Sequence, residues 1–201
     1  AVDREALERA ARRLCQEGDA AGATAAAIRG YGPEILGFLS ALHRREEDAD
    51  EVFSLWSERV FRGIAGFGWE CSLRTWAYTL ARNVSSNYQR DRRARERRAP
   101  PLGDSAALSA IEQEVRTETR PYLRSEAKQK LIELRDSLPP EDRVLLVLRL
   151  DKQLEWNDVA RVMLGGDEGA PAADAAALKR EAQRLRKRFQ LVKERLVEEG
   201  R

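Results

Sequence analysis

The chain has 201 residues, of which 42% are apolar and 35% charged, with 36 Lys and Arg against 34 Asp and Glu for a formal net charge of +2. That length allows one large domain or two small ones, and no apolar run approaches the ~20 residues needed to cross a bilayer. Cys15 and Cys71 stand far apart with no CxxC or Cys/His pattern, which argues against a disulfide framework or zinc site and fits a reducing cytoplasm.

Ala, Leu, Arg and Glu are abundant, and no long window alternates β-branched with polar residues. An all-α protein is therefore expected. Arg4 to Gln16 reads as a first helix, amphipathic and charged rather than a signal peptide, ending near Gly18. Asp19 to Arg29 reads as a second, interrupted by Gly30 and the Gly32-Pro33 pair. Pro33 then suits the first turn of a third helix, Glu34 to about His43. The next runs from about Asp48 to Ile64, and Glu46, Glu47, Asp48 and Asp50 crowd its start, where carboxylates favour the positive end of the macrodipole. After the loop Ala65 to Cys71, Ser72 can cap a helix from Leu73 to about Arg95. Trp76, Leu80 and Val84, at i, i+4 and i+8, are expected to face the core.

From Pro100-Pro101 the texture changes, and residues 99–125 read as a linker with a short helix near Ala106 to Thr119. A second unit begins near Glu126 with a helix from Lys128 to Leu138, closed by Pro139-Pro140. Glu141 and Asp142 open the next, which carries Val144, Leu145, Val147, Leu148 and Leu150. Glu155 to Leu164 follows, and a terminal helix spans about Asp174 to Glu199. There Leu178, Ala182, Leu185, Phe189, Val192 and Leu196 recur at spacings of 4, 3, 4, 3 and 4, a core-facing stripe. The expected architecture is two small helical domains, 1–98 and 126–201, joined by the linker 99–125.

Charge is unevenly placed. Seven arginines lie between Arg82 and Arg98 against Asp91 and Glu96, and the terminal helix is also strongly basic. Two basic patches on a near-neutral chain suit an extended polyanion, although solvated helix faces account for the charge equally well. Aromatics sharpen the choice. Phe67, Trp69, Trp76, Tyr78 and Tyr88 fall within 22 residues, interleaved with Arg74, Arg82, Asn83, Asn87, Gln89 and Arg90. Aromatic faces stack on unpaired bases, arginines neutralise phosphates, and Asn or Gln can bond base edges.

The stretch Ser72-Leu73-Arg74-Thr75-Trp76-Ala77-Tyr78-Thr79-Leu80-Ala81-Arg82-Asn83 resembles the SxRTWxYxxARN signature of extracytoplasmic-function (group four) sigma factors. Asp48-Ala49-Asp50-Glu51-Val52 and Glu58-Arg59-Val60-Phe61-Arg62 are similar to the helix before it in that family's promoter-melting domain. The resemblance implies partners and roles. The earlier helix would dock on the β′ clamp helices of RNA polymerase core, through Asp50, Glu51, Phe53, Ser54, Trp56 and Ser57. The loop Ala65 to Cys71, with Phe67 and Trp69, would capture a base flipped from the minus-ten element. Asn83 and Asn87 would line the pocket, and Arg74, Arg82, Arg90, Arg92 and Arg93 would track phosphates. Two departures stand out: the docking helix has Ser54-Leu55-Trp56-Ser57 where the family often has Gln-Glu followed by Phe, and the loop has Phe67-Gly68-Trp69 for the usual FRG.

Leu138-Pro139-Pro140-Glu141-Asp142-Arg143 resembles the start of the family's minus-thirty-five-binding domain, and Leu154-Glu155-Trp156-Asn157-Asp158-Val159-Ala160 stands where relatives carry LSYEEIA, the first helix of a helix-turn-helix. The terminal helix would then enter the major groove by its N-terminal part. Two alignments remain open, one starting recognition at Leu178-Lys179-Arg180 and one at Leu185-Arg186-Lys187. Candidate DNA contacts are accordingly Arg180, Arg184, Arg186, Lys187 and Arg188, the last three ranked first because their stretch resembles the family more closely. Further partners implied are the β flap, promoter DNA and, as in many relatives, an anti-sigma factor.

No enzyme is expected. His43, the single histidine, reads as a solvated residue, and there is no P-loop, GxGxxG or metal-ligand spacing, so no metal or cofactor is expected either. Two other readings stay open, a helix-turn-helix regulator and a polymerase-binding adaptor without melting activity.

Overall fold

The computed structural model describes residues 3–95, 106–123, 135, 137–165 and 173–199, and all regular structure among them is helical. The expected all-α class is the one observed. The chain divides into two compact units, Ala1–Tyr122 and Leu123–Arg201.

The first unit holds α1 (Arg4–Gln16), α2 (Ala20–Leu42), α3 (Glu46–Gly63), α4 (Leu73–Arg95) and α5 (Ala106–Leu123). Carboxylates set the first two helix starts: Asp3 accepts from the Ala6 amide at 3.1 Å and Asp19 from the Gly22 amide at 2.8 Å. Between them Gly18, at φ +79°, supplies the left-handed turn that ends α1.

The expected break at Gly30 to Pro33 does not occur, and α2 runs unbroken with Pro33 inside it. An interior proline costs about 3 kcal/mol. Against that, Ile28, Tyr31, Ile35, Leu36, Phe38 and Leu39 are each essentially fully buried, and each contributes about 1.5–3 kcal/mol. Burial wins because α2 packs against α1, α3 and α4 together. The two glycines are packing sites instead of breakers. A Cβ on Gly30 would lie 2.1 Å from Leu7 Cδ2, and one on Gly32 would press Val115 at 3.1 Å. Each lets a neighbouring helix approach the α2 backbone.

The core stripe of α4 is also rotated from expectation. Leu73, Ala77, Tyr78, Ala81, Ser85 and Tyr88 are buried with Val84, while Trp76 and Leu80 are only half-buried. The reason lies on α3, whose fully buried Trp56 donates from its indole nitrogen to the Ala77 carbonyl at 3.0 Å and claims that face. His43 differs too: it is buried at the end of α2, its Nε2 lies 2.9 Å from Ser85 Oγ, and its ring meets Tyr88 edge-on.

The segment expected to be a linker contains α5, longer than anticipated and part of the first unit. Its buried face consists of Glu112, Val115 and Thr119, at helical spacing.

In the second unit the expected helix Lys128 to Leu138 falls almost wholly outside the described residues. Pro139-Pro140 opens α6 (Pro140–Leu146), which widens into a π-helical turn over Val147–Asp151. Then come α7 (Trp156–Leu164) and α8 (Ala175–Glu199), with Asp174 capping α8 through the Ala177 amide at 2.6 Å. The expected stripe packs α8 against α6 and α7: Leu178, Ala182, Leu185, Phe189 and Val192 are buried.

Three tyrosines of the first unit have raised pKa values. Burial is the main cause for each, followed by the Glu8 hydrogen bond at Tyr31, the Glu34 charge at Tyr78, and the Glu51 and Asp48 hydrogen bonds at Tyr88. A raised acid pKa means that the unfolded chain releases these protons first, so their contribution is complete below about pH 10 and is lost as pH rises beyond it. The unfolding midpoint should therefore fall as pH rises above about 10, and Tyr78→Phe should flatten that fall.

Candidate nucleic-acid interface

The site is built where α3 hands over to α4. A 3-10 turn, Ile64–Gly66, ends α3, and the Phe67 amide closes it on the Ile64 carbonyl at 3.2 Å. Beyond it Trp69 adopts φ +57°, a left-handed conformation that a bulky residue holds only at a cost of about 1–3 kcal/mol. The result is a cluster of three rings, with Phe67 in contact with both indoles. Phe67 lies 4.8 Å from both Trp69 and Trp76, tilted at 46° to the first and stacked at 25° on the second. Phe67, Trp69 and Trp76 are all partly exposed, so the cluster is open at the surface.

The start of α4 is fixed twice. Ser72 caps it as expected, its Oγ accepting from the Thr75 amide at 3.0 Å. Glu8 of α1 then accepts from the Leu73 and Arg74 amides at 2.8 and 3.1 Å, and from the Tyr31 hydroxyl at 2.7 Å. A carboxylate at this point both satisfies orphan donors and complements the helix dipole. Four residues on, Arg12 lies 5.6 Å over the Trp69 ring. Sequence reasoning missed Glu8 and Arg12, since their contacts on the loop and α4 lie more than fifty residues away and neither sits in a motif.

The expected strand-holding residues separate into groups. Arg74 is turned inward: it forms a bidentate pair with Glu34, with nitrogen–oxygen distances of 2.9 and 2.7 Å, and its side chain is 13% exposed. Burial lowers its pKa, but the Glu34 hydrogen bonds and charge outweigh that and raise it. Arg74 is therefore engaged by Glu34 in this structure, and its expected place on a phosphate would require that pair to open. Arg82, Asn83 and Asn87 lie half-buried on the flank of α4, and Arg90 is exposed with its guanidinium on Asn87 Oδ1. Arg92 and Arg93 belong to α4, but their side chains fall outside the described residues.

On α3, Phe53, Trp56 and Ser57 are fully buried; Trp56 bonds to α4, and the Phe53 ring lies under Arg116 of α5. Asp50 and Ser54 are partly exposed, and Glu51 is exposed while accepting from the Tyr88 hydroxyl at 2.9 Å.

On α8, Arg180, Arg184, Arg186 and Lys187 are exposed. Arg184 pairs with Glu181, whose pKa that hydrogen bond lowers, and Arg186 leans over Trp156 at 5.7 Å. Arg188 is partly buried against Asp142.

Residues 27–95, from the middle of α2 to the end of α4, match the family described as Sigma-70 region 2. The chain is 27% identical over 140 residues to the RNA polymerase sigma-H factor of Pseudomonas aeruginosa, covering 66% of this chain and 70% of that one. It is 26% identical over 140 residues to the ECF RNA polymerase sigma-E factor of Haemophilus influenzae, covering 66% and 71%. Identity to the RNA polymerase sigma factor YlaC of Bacillus subtilis is 23% over 135 residues, covering 67% and 76%. No solved structure matches the chain. All regular structure among the described residues is helical, their span 27–95 matches Sigma-70 region 2, and the relatives the chain resembles are named as sigma factors, one of them in the ECF group.

Proposed function

We propose that the chain is a sigma factor that directs RNA polymerase core to promoters by opening the minus-ten element with its first unit and holding the minus-thirty-five element with its second. The observation that carries the reading is the open cluster of Phe67, Trp69 and Trp76 at the head of α4, inside the span that matches Sigma-70 region 2. Flipping a base out of a duplex costs a few kcal/mol, and stacking returns about 1–3 kcal/mol per base. Phe67 and Trp69 capture the base, Asn83 and Asn87 contact its edge, and Arg82, Arg90, Arg92 and Arg93 follow the backbone. The partners are core polymerase, through the β′ clamp helices and β flap, and promoter DNA. An anti-sigma factor would act on the same docking surface.

For the second unit, α8 starts at Ala175, which favours the alignment that puts Leu178-Lys179-Arg180 in the groove. Arg186 leans over the Trp156 ring instead, at 5.7 Å. Arg180 and Lys187, seven residues apart, share an exposed face with Arg184 beside them. We assign DNA contact to these three, with Arg188 held back by Asp142. Arg180→Ala should weaken promoter binding by the holoenzyme and reduce the slope of log affinity against log salt by about one. An unchanged slope would move the contact elsewhere on α8. Footprinting with and without core tests the function itself: protection should require core, whereas an operator footprint by the chain alone would favour a helix-turn-helix regulator.

A further inference from the structure

The exposed side of α3 is not bare. α5 lies along it, and the contacts are specific. Arg116 Nη2 donates to Ser54 Oγ at 2.6 Å and to the Asp50 carbonyl at 3.1 Å, while Ser54 Oγ donates to Glu112 at 2.8 Å. The Arg116 guanidinium also lies 5.5 Å over the Phe53 ring. One turn on, Arg120 pairs with both Asp50 and Glu46. Val115, 3% exposed, fits against the missing side chain of Gly32, and Arg29 meets Glu114 at 3.6 Å. The seam is polar and carries few buried apolar groups, unlike the Leu, Ile and Phe packing between α2 and α3. It has the composition of a surface made to open.

Asp50 and Ser54 are also the members of the expected polymerase-docking set that remain at the surface but are covered. We infer that α5 is an intramolecular occupant of the α3 docking face and competes with core polymerase for it. This rests on the reading that α3 is the face that meets core. The surface takes a helix presenting Glu, Val and two arginines at i, i+3, i+4 and i+8, the pattern of Glu112, Val115, Arg116 and Arg120. Core gains Asp50 and Ser54 only when α5 leaves, so the apparent affinity is reduced by the fraction of molecules with α5 undocked.

The test measures binding of fluorescently labelled full chain to bacterial core polymerase, for wild type and for Arg116→Glu/Arg120→Glu. The reversed charges face Asp50 and Glu46 and should release α5, so the variant is expected to bind core about tenfold more tightly or better. Circular dichroism on the variant keeps the result readable, and Val115→Asp releases the same helix by another route. Hydrogen exchange supplies an independent reading. Amides of 106–123 should exchange faster in the complex with core than in the free chain, because an undocked helix of this length is marginal in water. If wild type binds core while neither variant binds more tightly, or if 106–123 becomes better protected on binding, the competition is refuted and the sigma reading stands. If no form binds core, both fall together.

Discussion

Glu34→Ala should destabilise the first unit by about 2 kcal/mol, since breaking a part-buried, doubly hydrogen-bonded ion pair leaves the other charge largely uncompensated. Arg74 would be left 13% exposed without the carboxylate that takes two of its N–H groups, and the Tyr78 hydroxyl would lose its acceptor at 3.0 Å. Arg4, at 3.9 Å from the same carboxylate and well exposed, adds little. Urea denaturation followed by tryptophan fluorescence measures the loss. Glu34→Gln, which keeps an acceptor for Tyr78, should lose less than alanine. Replacing both partners by Glu34→Leu/Arg74→Met should recover much of the stability, because the pair's desolvation is then removed along with its attraction. A loss below about 1 kcal/mol for Glu34→Ala would mean that Arg74 finds water instead, and would reopen its place among the DNA contacts.

Phe67→Ala should leave binding to core unchanged and reduce open-complex formation by roughly tenfold to a hundredfold, the equivalent of about 1–3 kcal/mol of base stacking. Phe67 is in contact with both indoles, so its loss breaks up the cluster that a flipped base would join. Permanganate reactivity of promoter thymines measures opening directly, and fluorescence anisotropy measures core binding on the same preparation. Asn83→Ala should show the same separation in smaller measure. Equal loss of opening and core binding would remove the loop from the melting step.

Much of this site was legible because its signals are local. Ser72 before an apolar run marks a cap, the aromatics of the loop lie close in sequence, and the α8 stripe repeats with a period that only a helix buries. What escaped the sequence was decided between elements. Gly30, Gly32 and Pro33 carry the local marks of a chain break, yet the two glycines are where Leu7 and Val115 occupy the space a side chain would need. Arg74 has the same sequence whether it faces phosphate or Glu34, forty residues away. The α4 stripe was displaced because Trp56 competes for the face that Trp76 was expected to fill. α5, inside a stretch whose composition suits a linker, is held mainly by ion pairs with α3, and ion pairs leave no periodic apolar trace.

The central claim concerns what core polymerase does with this chain bound to it. Multi-round transcription from a supercoiled promoter library, with bacterial core and the full chain, tests it most directly. Discrete transcripts that appear only when both are present, and that fall with Phe67→Ala, are the predicted result. Core-bound chain that starts no transcript at any promoter would contradict it and leave a polymerase-binding adaptor in its place.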